Sequence, residues 1–134
     1  MSTSTPHPVP SMLRRLAQVA INVHDSERAT RWYRDALGLP YLFSAGRLAF
    51  FDIAGTRLML SPPEAPEFDH PASILYFDVA DIITVHGTLA ERGVCFEGEP
   101  HVVAPLPTTD VWMAFFRDCE GNLLALQSEV ARAS

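Results

Sequence analysis

Side chains able to do acid/base or metal chemistry are few in this chain, and they are scattered. Of its five histidines, His7 sits in a Pro-rich start, His24 and His70 flank turns, and His86 falls on the outer part of a helix. These four read as solvated. His101 opens the extended segment PHVVA, and because imidazole titrates near neutral pH it is the one candidate acid/base group beside a cavity; a plain strand-end role stays open. Arg57 can clamp an anion through its planar fork of donors, or sit on a solvated rim. Trp112 and Tyr76 offer ring faces and a phenol to a planar ligand, with core filling as the alternative.

Other chemistries are excluded by absence. The chain has no Lys, so it can form no Schiff base and has no phosphate loop of the GK[ST] kind. Cys95 and Cys119 lie apart with no CxxC or Cys/His grouping, which argues against a disulfide scaffold or zinc module. The net charge of −6 comes with scattered arginines rather than a basic stripe, so nucleic acid and anionic membrane are not expected partners. No apolar stretch approaches the roughly 20 residues a membrane-spanning helix needs. The start MSTSTPHPVPS lacks the basic and apolar regions of a secretory signal, and the expectation is a cytoplasmic protein.

The elements that must position these groups follow from an internal repeat. QVAINVHDSERATRWYRDALGL can be laid on ILYFDVADIITVHGTLAERGV with Val23 over Val79 and Asp25 over Asp81. Further on, AFFDIAGTRLMLS (49–61) lies over AFFRDCEGNLLALQS (114–128) with one small offset. Each copy reads as strand, aspartate cap, helix and glycine stop, followed by strands around a Gly turn. Ala29, Trp32, Tyr33, Ala36 and Leu37 recur at helical spacing, as do Ile82, Val85, Leu89 and Ala90. The expected fold is therefore α+β: two tandem βαβββ modules forming a curved mixed sheet around a cleft. We expect a tail over 1–12, one domain over 13–130 and a short tail over 131–134. Module 1 covers about 14–62, a Pro-rich linker 63–71 and module 2 about 72–129.

Strand alternation divides each sheet into two faces. Val19, Ile21, Val23, Leu58, Leu60, Leu75, Phe77, Val79, Leu124 and Leu126 form a helix-side set, together with Phe51 and Phe116. The other set is mixed, and Gln18, Asn22, Phe50, Arg57, Met59, Ile74, Tyr76, Trp112 and Ala125 are assigned to it as candidate ligand-binding residues. An apolar surface carrying a few polar groups is what small-molecule sites look like. The segment 104–110, APLPTTD, reads as a loop over the mouth of the cleft.

The doubled βαβββ pattern, the D-x6-W-Y near the first helix, the DCEGNLLAL hairpin and the paired AFF strands together resemble the vicinal oxygen chelate superfamily. That superfamily includes glyoxalase I, bleomycin-resistance proteins and extradiol dioxygenases. The resemblance runs from about residue 16 to 129. It implies the fold, a small-molecule ligand, frequent homodimers and, in the enzymes, a divalent metal held from the first, fourth, fifth and eighth strands. Those places fall here on Gln18, Met59, Ile74 and Ala125, of which only Gln18 has a usable donor atom, so no metal cofactor is expected. The leading expectation is a metal-free, small-molecule-binding member that holds or converts its ligand. Two alternatives stand beside it: a metal-dependent lyase, isomerase or dioxygenase with rearranged ligands, for which Gln18, His101 and Asp78 are the candidate trio, and a non-catalytic dimeric module.

Overall fold

Both helices begin on an aspartate. In the computed structural model, which describes residues 12–132, Asp25 Oδ1 accepts the Arg28 N–H at 3.0 Å and Asp81 Oδ1 accepts the Thr84 N–H at 3.2 Å. Each carboxylate thus satisfies one of the amide donors that a helix start leaves without a partner. Helix α1 (Ser26–Arg31) continues into a wider turn, Trp32–Ala36, in which the Leu37 N–H reaches back to Trp32 O at 3.0 Å. Helix α2 spans Ile82–Glu91.

Module 1 contributes β1 (Gln18–Asn22), β2 (Tyr41–Ala45), β3 (Leu48–Ile53) and β4 (Thr56–Ser61). A single 3-10 turn, Pro66–Phe68, lies in the linker. Module 2 contributes β5 (Leu75–Asp78), β6 (Cys95–Phe96), β7 (His101–Pro105), β8 (Thr109–Arg117) and β9 (Leu123–Ala131). The first sheet has the order β1-β4-β3-β2; the second runs β5-β9-β8, with β6 and β7 both paired to β8. β1 is parallel to β4 and β5 to β9, and the other pairs are antiparallel. Equivalent bonds close the two parallel pairs, Val23 N–H to Ser61 O at 3.1 Å and Val79 N–H to Gln127 O at 2.9 Å.

The expected repeat therefore stands, with one departure. The module 2 counterpart of β2 is broken into β6 and β7, so the expected eighth strand is β9. Pro100, which has no N–H to give a ladder, lies in the gap, and so does Gly98 at φ +151°. At the C-terminal end β9 runs to Ala131, and the Arg132 N–H still bonds Thr108 O at 3.0 Å, so order extends past the expected boundary at 130. The expected mouth loop shrinks to residues 106–108. It is pinned by the Arg132 guanidinium, which bonds Leu106 O and pairs with Asp110 at 3.2 Å. The expected N-terminal tail, apart from Met12, lies outside the described residues.

Helix-side residues of both sheets merge into one core. Ile21, Tyr33, Phe51, Leu58, Leu60, Phe116, Leu124 and Leu126 are at most 2% exposed, and Leu89 of α2 joins the same cluster. Burying each such side chain contributes roughly 1.5–3 kcal/mol against about 1 kcal/mol for a cap. The period-two pattern, more than the caps, thus dictates the fold.

The polar junction between modules is the turn from β8 to β9. Asp118 is 6% exposed. Its Oδ1 accepts the Glu120 and Asn122 N–H groups, both at 2.8 Å, and its Oδ2 accepts the Tyr33 hydroxyl at 2.6 Å and Asn122 Nδ2 at 2.9 Å. Burial, reinforced by Asp118, pushes the Tyr33 phenol far above its ordinary range, so it stays a donor. Glu120 Oε1 accepts the His24 N–H at 2.7 Å, and its Oε2 accepts the Asp25 N–H at 2.8 Å and Arg28 Nη2 at 3.3 Å. Burial pushes the Glu120 carboxyl up, but these donors outweigh it and hold it below its ordinary value. The exposed His24 ring is not merely solvated, since it lies 3.0 Å from Asp69 and 3.4 Å from Glu120.

Two predictions test this junction. Tyr33→Phe removes only the hydroxyl on Asp118 and should cost about 1.5–3 kcal/mol, the range for hydrogen bonds to charged groups. The check is a lower urea midpoint at unchanged slope. For Glu120, a folded-state pKa below the unfolded one means its stabilisation is complete above about pH 4.3, the ordinary glutamate value, and disappears as pH falls through the folded value. Glu120→Gln should therefore be less stable than wild type at pH 7, with the gap closing below about pH 4; a gap that stays constant across that range would exclude the carboxylate as its source.

Candidate functional site

The sheet faces turned away from the helices carry the candidate residues. In module 1 the register sets Gln18 beside Arg57, Ala20 beside Met59 and Asn22 beside Ser61, while Phe50 lies opposite Met59 on β3. A bulge between Tyr41 and Phe43 reverses the parity of β2. Tyr41 packs edge-on against Phe51 at 5.6 Å on the helix side, whereas Phe43 stacks on Phe50 at 4.7 Å on the opposite face. Without the bulge, residues two apart would share a side. The Arg57 guanidinium lies over both rings, 5.4 Å from the centre of Phe43 and 5.5 Å from that of Phe50.

Module 2 repeats the row with different bulk. Tyr76, Ala125 and Phe115 stand side by side on β5, β9 and β8. Because the middle residue is only a methyl, the outer rings meet edge-to-face at 6.3 Å above it and Ala125 is fully buried. Beside Phe115, at the gap between β6 and β7, lies a cavity of about 180 Å³ lined by Glu97, Gly98, Glu99, His101, Phe115 and Leu123. Glu97 pairs with Arg117. His101 Nδ1 lies 3.0 Å from Glu99 O. A carbonyl can only accept, so Nδ1 carries a proton and the neutral ring keeps its Nε2 lone pair for a ligand.

Several assignments change. Trp112 is a correction: it shares parity with Ala114 and Phe116, packs against the core, and lines a surface hollow with Ile82, Ile83 and Val130 on the helix side. Asn22 stands on the expected face, but its Nδ2 donates to His70 O at 2.9 Å and its carbonyl accepts Asn122 Nδ2 at 3.0 Å, which ties it to the module junction. His86 is half-buried rather than solvated, with its ring 4.1 Å from Phe96 and its Nε2 3.2 Å from Gly98 O. Ile74 precedes β5 and is 38% exposed. Phe43, Glu97 and Glu99 carry no signal in the sequence reading, whereas the repeat pairs Phe115 with Phe50 as an inner aromatic. The bulge behind Phe43 leaves no sequence signature.

The metal implied by the resemblance does not fit the donors present. Gln18 Nε2 is turned to Met59 Sδ at 3.8 Å, and Ile74 and Ala125 carry no donor atoms. Of the alternative trio, Gln18 lies in one sheet and His101 and Asp78 in the other. Among the described residues no group of three or more His, Cys, Asp or Glu is placed to hold a metal ion, and no helix is long and apolar enough to cross a membrane.

The comparisons with known proteins agree with this architecture. The chain is 28% identical over 126 residues to the uncharacterized protein YraH of Bacillus subtilis (strain 168), covering 84% of this chain and 96% of that one. Among solved structures, it is similar to a glyoxalase/bleomycin resistance protein/dioxygenase superfamily member from Sphaerobacter thermophilus DSM 20745, with TM-score 0.73 and 25% identity over 89% of this chain and 100% of that one. TnmS3, an antibiotic binding protein from Streptomyces sp. CB03234, superposes with TM-score 0.73 and 23% identity over 90% of this chain and 99% of that one. The model of the Glyoxalase/Bleomycin resistance protein/Dioxygenase superfamily matches residues 15–126, and the chain belongs to that superfamily.

Proposed function

We propose that this chain binds a small, partly apolar organic molecule on the faces turned away from its helices, without a resident metal. Conversion of the ligand, where it occurs, uses His101 as the acid/base group. One observation carries the reading: large apolar side chains stand partly open beside a few polar groups, with Phe43 43% exposed beneath Arg57 and Tyr76 48% exposed against Phe115, whose other neighbour is His101. Such surfaces are costly to leave in water and suit a ligand with an apolar body. The relation to an antibiotic binding protein supports binding as a use of this scaffold.

The sheet edges support a homodimer. β1 and β5 each end a sheet, and an edge strand is a template for pairing that a second copy can cover. We place the protein in the cytoplasm, where Cys95 and Cys119, both free, stay reduced. Burial, with Asp118 beside it, also pushes the Cys119 thiol up and keeps it protonated.

The test joins metal analysis with ligand screening. Protein incubated with Ni, Zn, Mn or Fe and then dialysed should retain far less than one ion per chain. A bound apolar ligand at a hundred times its Kd should raise stability by about 2.7 kcal/mol, read as a higher unfolding temperature. Stoichiometric metal would overturn the metal-free reading. Light scattering should give twice the chain mass.

A further inference from the structure

We infer that Arg57 makes the module 1 face selective for an anionic amphiphile: a carboxylate or similar anion on a flat apolar body. The inference rests on the ligand-binding reading above and names the chemistry its ligand must carry. Arg57 is exposed, yet its guanidinium is held in place over two stacked rings rather than left to wave in solvent. Among the described residues no carboxylate comes within ion-pair distance of it. Asp52 is its cross-strand neighbour, but the Asp52 Oδ1 instead accepts the Gly55 N–H at 3.2 Å.

A guanidinium offers five donors and no acceptor, and its planar fork matches a carboxylate in a two-bond arrangement. Among the described residues no acceptor takes a hydrogen bond from its N–H groups, which leaves them available to an anion. Gln18 stands beside Arg57 across β1 and β4, with its amide nitrogen on the same side as Met59 Sδ. Met59 and the open edge of Phe43 continue the surface as an apolar floor. An anion at the fork therefore places its attached ring on that floor. The net charge of −6 repels anions at long range, so selectivity for one must come from this local cation, and added salt screens the repulsion more than the contact.

A matched pair of probes tests this on the full-length chain: 2-naphthoate and uncharged 2-naphthamide, titrated against wild type, Arg57→Gln and Arg57→Lys. Wild type should prefer the naphthoate by about tenfold, the effect of one charge-assisted contact. R57Q should lose that preference, binding the two probes with equal affinity. R57K should keep only part of it, since a point charge lacks the fork. Equal affinity of wild type for both probes, or an R57Q variant that retains the preference, overturns the assignment of Arg57 and leaves the ligand-binding reading standing. If neither probe binds wild type, both fail together. Arg57 is an exposed side chain, and matching thermal midpoints for the three proteins confirm that the comparison is between folded forms.

Discussion

Two carboxylates from a single turn are buried where the modules meet, and the arrangement of the whole molecule depends on their being satisfied. Removing a carboxylate from water costs several kcal/mol unless hydrogen bonds replace the lost solvent. Asp118 recovers them from its own turn and from Tyr33, and Glu120 from the start of α1 and from Arg28. Tyr33, the start of α1 and Arg28 belong to module 1, while both carboxylates and the rest of the Asp118 donors sit in the turn between the last two strands of module 2. Neither module can meet the demand alone. Among the described residues no buried side-chain polar atom is left without a partner.

That junction has a consequence for the site. With α1 held against the β8–β9 turn and Trp32 6.5 Å from Phe116, the helix sides of both sheets share one core. The opposite faces must then turn away from that core, which is why Phe43, Ile74 and Tyr76 remain open in a single chain. Their exposure is a product of the packing on the other side of the sheets.

Much of this was legible in sequence because each signal was local and periodic. Val19, Ile21 and Val23 alternate with polar neighbours, Asp25 and Asp81 precede helical spacing, and the AFF segments align Phe51 with Phe116. All of these keep their assigned sides. Trp112 was misplaced because its ring chemistry outweighed its parity: counting back from Phe115 along an unbroken strand puts it on the helix side. Phe43 could not be found that way, since one extra residue in β2 reverses every count beyond it. The DCEGN segment was recognisable as a hairpin motif, but its role at the junction depends on α1, more than 80 residues earlier in the chain, and no spacing rule connects the two.

The repeat also shows where specificity must come from. At one equivalent place, module 1 fills the space over its inner phenylalanine with Phe43, while module 2 breaks the neighbouring strand at residues 97–100 and leaves a cavity over Phe115. Arg57 of the first module corresponds to Leu123 of the second, and Met59 to Ala125. The shared positions, Phe51 with Phe116 and Leu58 with Leu124, are the ones the core requires. The unshared ones are free of that demand. A cation on an aromatic shelf in one module and an acid-rimmed hollow beside His101 in the other are therefore departures from the repeat that the shared core does not require.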